Sequence, residues 1–182
     1  KKGDDVRIDW GYFYMAADKE NSSCATGEGK TLRKSFIDGK LTSSKADGSD
    51  KLALVRSLGE TKKAEGHLLL GYDDLYSIQY FGENLRPYWN RNGNETIQSQ
   101  FAKADKEYDA VMDKCAAFDA NLMKEATEVG GRKYAELCAL AYRQAIAAHK
   151  LVEAPNKDLL FLSKENFSNG SIGTVDITYP SA

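Results

Sequence analysis

A regular apolar repeat between residues 97 and 126 constrains the fold more than any other feature of this sequence. Apolar side chains recur there at alternating steps of four and three residues, which is the spacing of one face of an α-helix. The members of the repeat are Ile97, Phe101, Ala104, Tyr108, Val111, Cys115, Phe118, Leu122 and Ala126. This spacing predicts a long amphipathic helix over residues 96–128.

Another helix is expected directly after this one. Gly130 and Gly131 can end the first helix and form a tight turn, and the pattern then predicts a helix over residues 132–152. That segment is rich in alanine and apolar on nearly all sides, so we expect close neighbours to enclose it. The sequence offers only two other helices for this purpose. We therefore expect this chain to be part of a larger enclosure.

The N-terminal third carries strand and turn signals instead. Residues 10–14, 31–37 and 52–58 are predicted strands, separated by polar segments with glycines. From residue 61 the spacing of apolar residues indicates a first helix that ends near Gly82, and residues 159–162 are predicted to be a short buried strand or extended run. The expected fold class is α+β, with antiparallel strands in residues 1–60 and long helices in residues 61–182.

Charge and composition exclude several classes of partner. The 25 basic and 27 acidic side chains are scattered and give a net charge of -2, so no basic surface for nucleic acid or anionic membrane is expected. No apolar run is long enough to span a bilayer. Cys115 and Cys138 are expected as free thiols because their predicted positions on paired helices lie too far apart for a disulfide.

Two groups of residues have side chains suited to catalysis or binding. Glu165 and Asp176 lie in a polar, glycine-bearing segment and are candidates for a carboxyl pair in acid/base hydrolysis. The alternative is that this segment only forms turns. Asp73 and Asp74 are consecutive, about 100° apart on the predicted helix, so one at most is expected to face a pocket. The two histidines have no second ligand at helical spacing, and no metal site is predicted.

Aromatic residues surround these aspartates, and they can be interpreted in two ways. They are Tyr72, Tyr76, Tyr80, Phe81, Tyr88 and Trp89. Aromatic side chains most often form core, but they also form stacking platforms for polar ligands such as sugars.

Several long runs resemble the glutaminase A family of bacteria and fungi. They are residues 9–12 (DWGY), 67–82 (HLLLGYDDLYSIQYFG), 85–91 (LRPYWNR), 141–145 (AYRQA), 148–151 (AHKL) and 161–176 (FLSKENFSNGSIGTVD). The likeness is close from about residue 65 onward and weaker before it. It implies an exported protein, secreted or periplasmic, in which a β-sandwich-like region precedes an (α/α)6 six-hairpin toroid.

The resemblance also implies an activity, namely hydrolysis of glutamine to glutamate and ammonia without a cofactor. In that frame Glu165 is the proton donor or acceptor and Asp176 its partner, while Asp73, Asp74, Arg143 and Asn166 are candidates for binding the substrate. The other expected partners are the remaining domains of the same enzyme, without which the chain is expected to be inactive. Two alternatives are a six-hairpin glycoside hydrolase and a non-catalytic structural portion of a larger enzyme.

Overall fold

The computed structural model describes residues 11–44, 51–164 and 170–173. The described residues fall into two compact units, one within residues 13–71 and the other formed by residues 11–12 with those described from residue 72 onward. In the described ranges there are four α-helices and four two-stranded sheets. The structure therefore confirms a mixed helix and sheet class. The assignment of residues 1–60 to a sandwich and 61–182 to a toroid stays a prediction.

The unit of residues 13–71 contains most of four strands and one helix. They are β1 (Tyr12–Ala16), β2 (Ser22–Gly27), α1 (Gly29–Ile37), β3 (Lys51–Arg56) and β4 (Leu69–Asp73). β1 pairs with β4, and β2 runs antiparallel to β3 with Ser22 opposite Arg56. The strands predicted near residues 10–14 and 52–58 are confirmed as β1 and β3.

The predicted strand over residues 31–37 is wrong, because this segment is helix α1. The Glu28 carboxylate caps the helix by accepting hydrogen bonds from the backbone amides of Lys30 and Thr31, at 2.8 and 2.7 Å. Such a cap satisfies amides that a first helical turn leaves unpaired. The same bonds lower the pKa of the Glu28 carboxyl. The local cap therefore outweighs the strand propensity of the sequence.

The helix predicted to begin near residue 61 is also wrong. In its place are β4 and a hairpin of β5 (Ile78–Tyr80) and β6 (Glu83–Leu85). Leu75 and Phe81 have positive φ angles of 55° and 46°, which an α-helix cannot contain. Phe81 and Gly82 form a two-residue turn in which both φ angles are positive, as tight hairpins require.

The helical part of the chain agrees better with the sequence. The helix expected over residues 96–128 is present as α2 (Ile97–Lys106) and α3 (Tyr108–Gly130), with a break at Glu107. Thr96 is the N-cap of α2 and forms a capping box with Ser99. The Thr96 hydroxyl accepts a hydrogen bond from the Ser99 amide, and the Ser99 hydroxyl accepts one from the Thr96 amide.

The next helix, α4 (Arg132–Ala147), is shorter than the predicted 132–152. The residues after it form β7 (His149–Glu153), which pairs antiparallel with β8 (Leu159–Ser163). The correction follows from Val152, which is fully buried in the core below and needs the strand geometry to reach it. The predicted strand over residues 159–162 is confirmed as β8, but its predicted burial is wrong for Leu159 and Phe161, which are exposed.

The core of the second unit lies between two hairpins. Ile78 and Leu85 from β5 and β6 pack with Val152 from β7, and Leu160, Leu162 and Ile172 flank them. A bridge between Pro87 and Val152 ties the two hairpins together through the backbone. The segments around residues 74–85 and 149–164 are thus held side by side.

Helices α3 and α4 pack on each other but leave much apolar surface uncovered. Phe118 of α3 contacts Tyr142 of α4, with ring centroids 5.0 Å apart. On α4, Leu137 and Leu140 are 61% and 52% exposed in the described structure, and Ile146 is also exposed. The described part of the chain therefore does not supply the enclosure expected around α4. None of its helices is long and apolar enough to cross a membrane.

We expect Gly131→Ala to destabilise the protein by about 1–3 kcal/mol. Gly131 joins α3 to α4 with φ 81° and ψ 173°, a conformation that is essentially restricted to glycine. No atom lies within 4 Å of an added Cβ, so the cost is conformational and not steric. Equilibrium unfolding measures it, with Lys133→Ala as a control expected within about 0.5 kcal/mol of the parent. Equal stability of Gly131→Ala and the control would contradict this account.

Candidate functional site

A buried polar cluster lies beside the hairpin core. Its members are Asp74, Ser77, Lys150 and Lys164. Asp74 and Lys164 are only 6% and 3% exposed, and Ser77 is 1% exposed. Charged side chains are almost never buried to this degree unless they are paired. This cluster is therefore the best candidate for a functional or organising site among the described residues.

A tight turn after β4 directs Asp74 into the cluster. The Asp73 carboxylate accepts a hydrogen bond from the Leu75 amide at 2.9 Å, and Leu75 takes a left-handed backbone conformation. The chain then reverses so that Ser77 is buried and its amide donates to the Leu85 carbonyl at 2.8 Å. Asp73 thus stabilises the turn, while Asp74 occupies the interior.

The Asp74 carboxylate is the centre of the cluster. Its Oδ2 atom accepts a hydrogen bond from the Ser77 hydroxyl at 2.8 Å and forms an ion pair with Lys150 Nζ at 3.3 Å. Lys150 lies on β7, so the pair joins the turn after β4 to the second hairpin. A buried ion pair of this kind contributes little net stability, but loss of one partner leaves an uncompensated charge.

Lys164 reaches the same place from the end of β8. Its Nζ donates to the Ser77 carbonyl oxygen, and its own amide donates to the Ala148 carbonyl at 2.8 Å. Lys164 is followed in the sequence by Glu165, a predicted catalytic residue. The buried cluster therefore includes the residue that directly precedes Glu165 in the sequence.

Gly11 supports the turn from the other side. Its amide donates to the Tyr72 hydroxyl at 3.1 Å. A Cβ atom at this position would lie 1.9 Å from the Asp73 carbonyl oxygen, which no real side chain tolerates. The glycine of the DWGY run is thus explained by close approach of its backbone to the Asp73-Asp74 turn.

The predicted site residues do not all belong to this cluster. Asp74 is a member, and Asp73 stabilises the turn next to it. Arg143 lies on α4 and lines a different groove of about 670 Å³, together with Asp119, Tyr142 and apolar residues of α3 and α4. Glu165, Asn166 and Asp176 lie outside the described residues, so their roles stay predictions.

Three members of the cluster were missed by sequence reasoning. Ser77, Lys150 and Lys164 are far apart in the chain, and nothing in their local spacing connects them. Lys150 was expected near the end of a helix. The available signal was their position inside the runs 67–82, 148–151 and 161–176 that resemble one family.

Four of the aromatic residues near the turn contact an arginine or a neighbouring ring. The Arg86 guanidinium lies over the Tyr76 ring at 5.2 Å, and the Arg91 guanidinium lies over the Tyr88 ring at 4.2 Å. Tyr80 and Phe81 meet edge to face at 4.6 Å. Because arginines cover one face of two rings, the described geometry gives little support to sugar stacking. No cluster of three or more metal-binding side chains occurs in the described ranges.

Comparison with known proteins identifies the family. A domain of unknown function, DUF5127, matches residues 1–125, and the glutaminase A six helical-hairpin domain matches residues 131–182. The chain belongs to the glutaminase A family. A curated relative from Aspergillus oryzae, named Glutaminase A, is 27% identical over 192 residues.

That alignment covers 96% of this chain but only 27% of the relative's length. The chain thus spans about a quarter of the curated glutaminase A that it matches. No solved structure matches the chain significantly. The two family matches meet at the turn between α3 and α4, since the first ends at residue 125 and the second begins at residue 131.

The two neighbouring aspartates provide a matched test of the cluster. We expect Asp74→Asn to lower the free energy of unfolding by about 1.5–3 kcal/mol. The substitution removes the negative charge that pairs with Lys150 and weakens the hydrogen bond from Ser77. Asp73→Asn keeps an oxygen that can accept from the Leu75 amide and should stay within about 0.5 kcal/mol of the parent. Equilibrium unfolding compares the two. Equal effects of the two substitutions would show that the buried Asp74 carboxylate contributes no more to stability than the Asp73 carboxylate.

Proposed function

We propose that the full-length protein containing this chain is an exported hydrolase that converts glutamine to glutamate and ammonia. The observation that carries the proposal is the family match along nearly the whole chain, together with a relative named Glutaminase A. Export, to the medium or the periplasm, is part of the same proposal.

In this reaction water adds to the side-chain amide carbon of glutamine, the C–N bond breaks, and ammonia leaves with a proton. General acid/base catalysis by one carboxyl serves both steps, because it takes a proton from water and returns it to the leaving nitrogen. We assign this role to Glu165 and the orientation of the water to Asp176. Asn166 and Arg143 remain proposed substrate ligands.

The buried cluster has a supporting role in this proposal. The Asp74 carboxylate already binds Ser77 and Lys150, and the Asp73 carboxylate already binds the Leu75 amide. One oxygen of each carboxylate is therefore engaged inside the protein, which favours a positioning role for both residues. Lys164, buried in the cluster, directly precedes the proposed catalytic residue Glu165 in the sequence.

Exposed apolar side chains on more than one side of α4 support a second part of the proposal. Leaving Leu137, Leu140 and Ile146 in water costs about 25 cal/mol per Å² of exposed apolar surface. We propose that further helical hairpins of the same enzyme cover these side chains and complete a six-hairpin toroid. These hairpins are then the main partner of the chain, and glutamine is the small-molecule partner.

The competing activity is glycoside hydrolysis on the same type of fold. Release of ammonia from glutamine and release of reducing sugar from oligosaccharides, both measured on the full-length protein, separate the two. We expect ammonia release alone. Sugar release without ammonia release would replace the proposed activity with the glycosidase.

Substitution of the two carboxylates tests their roles. We expect Glu165→Gln and Asp176→Asn in the full-length protein to lower kcat for glutamine by about 100-fold or more, the usual contribution of acid/base catalysis. Glu136→Gln is a matched control, because Glu136 is an exposed carboxylate on α4 that pairs with Arg132. Unchanged turnover in both site variants would move the catalytic residues elsewhere in the enzyme.

The 182-residue chain tested by itself should release no ammonia. The reason is that a toroid pocket needs helices beyond the four described here. Turnover by this chain at the rate of the full-length enzyme would contradict the proposed enclosure.

A further inference from the structure

An open groove of about 270 Å³ lies between α1 and β3, within the unit of residues 13–71. Its apolar lining residues are Leu32, Phe36, Leu41, Leu52, Ala53 and Val55. Leu32 is only 4% exposed, whereas Phe36 and Leu52 are 57% and 46% exposed in the described structure. Large apolar side chains that remain in water around a concave surface are typical of a binding site.

Two basic side chains, Arg33 of α1 and Lys51 of β3, line the same groove. A Cβ atom added to Gly29 would lie 3.7 Å from Arg33 Nη1 and 3.2 Å from Lys51 Cγ. The two side chains therefore approach one point, at the first residue of α1 and the first residue of β3. No acidic side chain belongs to the described lining. The groove thus has an apolar body and a positively charged end.

Glu28, the residue before Gly29, does not cancel this charge. Its two carboxylate oxygens accept hydrogen bonds from the amides of Lys30 and Thr31, at 2.8 and 2.7 Å. These bonds, and to a smaller extent the charge of Arg33, lower the pKa of the Glu28 carboxyl. Within residues 11–44, 51–164 and 170–173, Lys51 has no hydrogen bond and no ion pair. One carboxylate that is bound to the backbone therefore faces two cations.

The size of the groove favours a small molecule over a second protein. Nine residues line it, whereas a stable protein interface uses about 20–30 residues on each side. Its volume is just below the ~300–1,000 Å³ of pockets for drug-sized ligands. The complement of the groove is therefore a small apolar molecule with a single anionic group at one end.

We infer that this groove binds a free medium-chain carboxylate, an unbranched alkyl chain that ends in one carboxylate group. The chain lies along the apolar lining, and the carboxylate pairs with Arg33 and Lys51 beside Gly29. The stems of both basic side chains add apolar contact while their charges stay at the rim of the groove. The site goes beyond the proposed function, since it includes no residue assigned to hydrolysis and does not require hydrolysis to occur.

Equilibrium binding to the full-length protein tests this inference, with isothermal titration calorimetry as the measurement. The probes are octanoate, butanoate, which has a shorter chain, and 1-octanol, which has no charge. Each additional methylene that enters the groove should strengthen binding by up to about fourfold, the usual effect of its burial. Octanoate should bind about 10-fold more tightly than 1-octanol, because it alone pairs with the two cations.

Variants assign the binding to the groove. Arg33→Gln and Lys51→Gln, both on exposed side chains, should each weaken octanoate by about 10-fold and leave 1-octanol unchanged. Retained binding of 1-octanol also shows that these variants are folded. Leu52→Ala should weaken both probes by about fivefold, because it removes apolar contact. Lys34→Gln is the matched control, since Lys34 is an exposed cation on α1 that does not line the groove.

The outcomes separate this inference from the proposed function. Absence of glutaminase activity would leave the binding result intact, because no residue is shared. Equal affinity for octanoate and 1-octanol, or octanoate binding that neither Arg33→Gln nor Lys51→Gln weakens, would overturn the inference. Binding to vesicles of anionic phosphatidylglycerol without binding of octanoate would also overturn it and assign the basic end to a membrane surface.

Discussion

The packing of Val152 against Ile78 and Leu85 is the contact on which the rest of the described site depends. It joins two hairpins that are separated by the whole helical segment of the chain. Because these three side chains are buried together, the turn after β4 and the ends of β7 and β8 meet at one place. Asp74 can then reach Lys150, and Lys164 can reach Ser77. Packing of the apolar core thus brings the residues of the polar cluster together.

The helices α3 and α4 differ from the hairpin core because much of their apolar surface is exposed. They pack on each other but leave leucines, an isoleucine and aromatic rings of α4 in contact with solvent. Membership of a family with a six helical-hairpin domain provides the natural explanation. A helix that is apolar on nearly all sides is suited to a position between neighbours. The exposed apolar side chains of α4 thus support the proposal that further hairpins of the full-length enzyme cover it.

The helices could be predicted from the sequence because their signal is long and repeated. The apolar spacing located α2 and α3 to within a few residues, and the glycine pair located the turn before α4. The failures are local. A single carboxylate, Glu28, converts an apparent strand into α1, and positive φ angles at Leu75 and Phe81 convert an apparent helix into strands. Apolar spacing contains no information on such backbone conformations.

The candidate site was only partly predictable, for a related reason. Asp74 was predicted as a site residue, but the prediction placed it on a helix. In the structure, the turn after β4 directs its side chain into the interior. Ser77, Lys150 and Lys164 come together through the core of the two hairpins, which no local pattern encodes. The family resemblance, in contrast, rested on long runs and was confirmed by the family matches. Likeness over long runs thus identified the family, but it did not show that these three residues lie together.

Gly131 has a consequence for how the two family regions relate to each other. The first match ends within α3 and the second begins at this glycine, so one helical hairpin takes a helix from each region. A boundary drawn from family matches would therefore cut through a packed pair of helices. Residues 1–130 expressed without α4 would lose the partner of Phe118. The two regions therefore share one helical hairpin at this joint, in which α3 ends the first region and α4 begins the second.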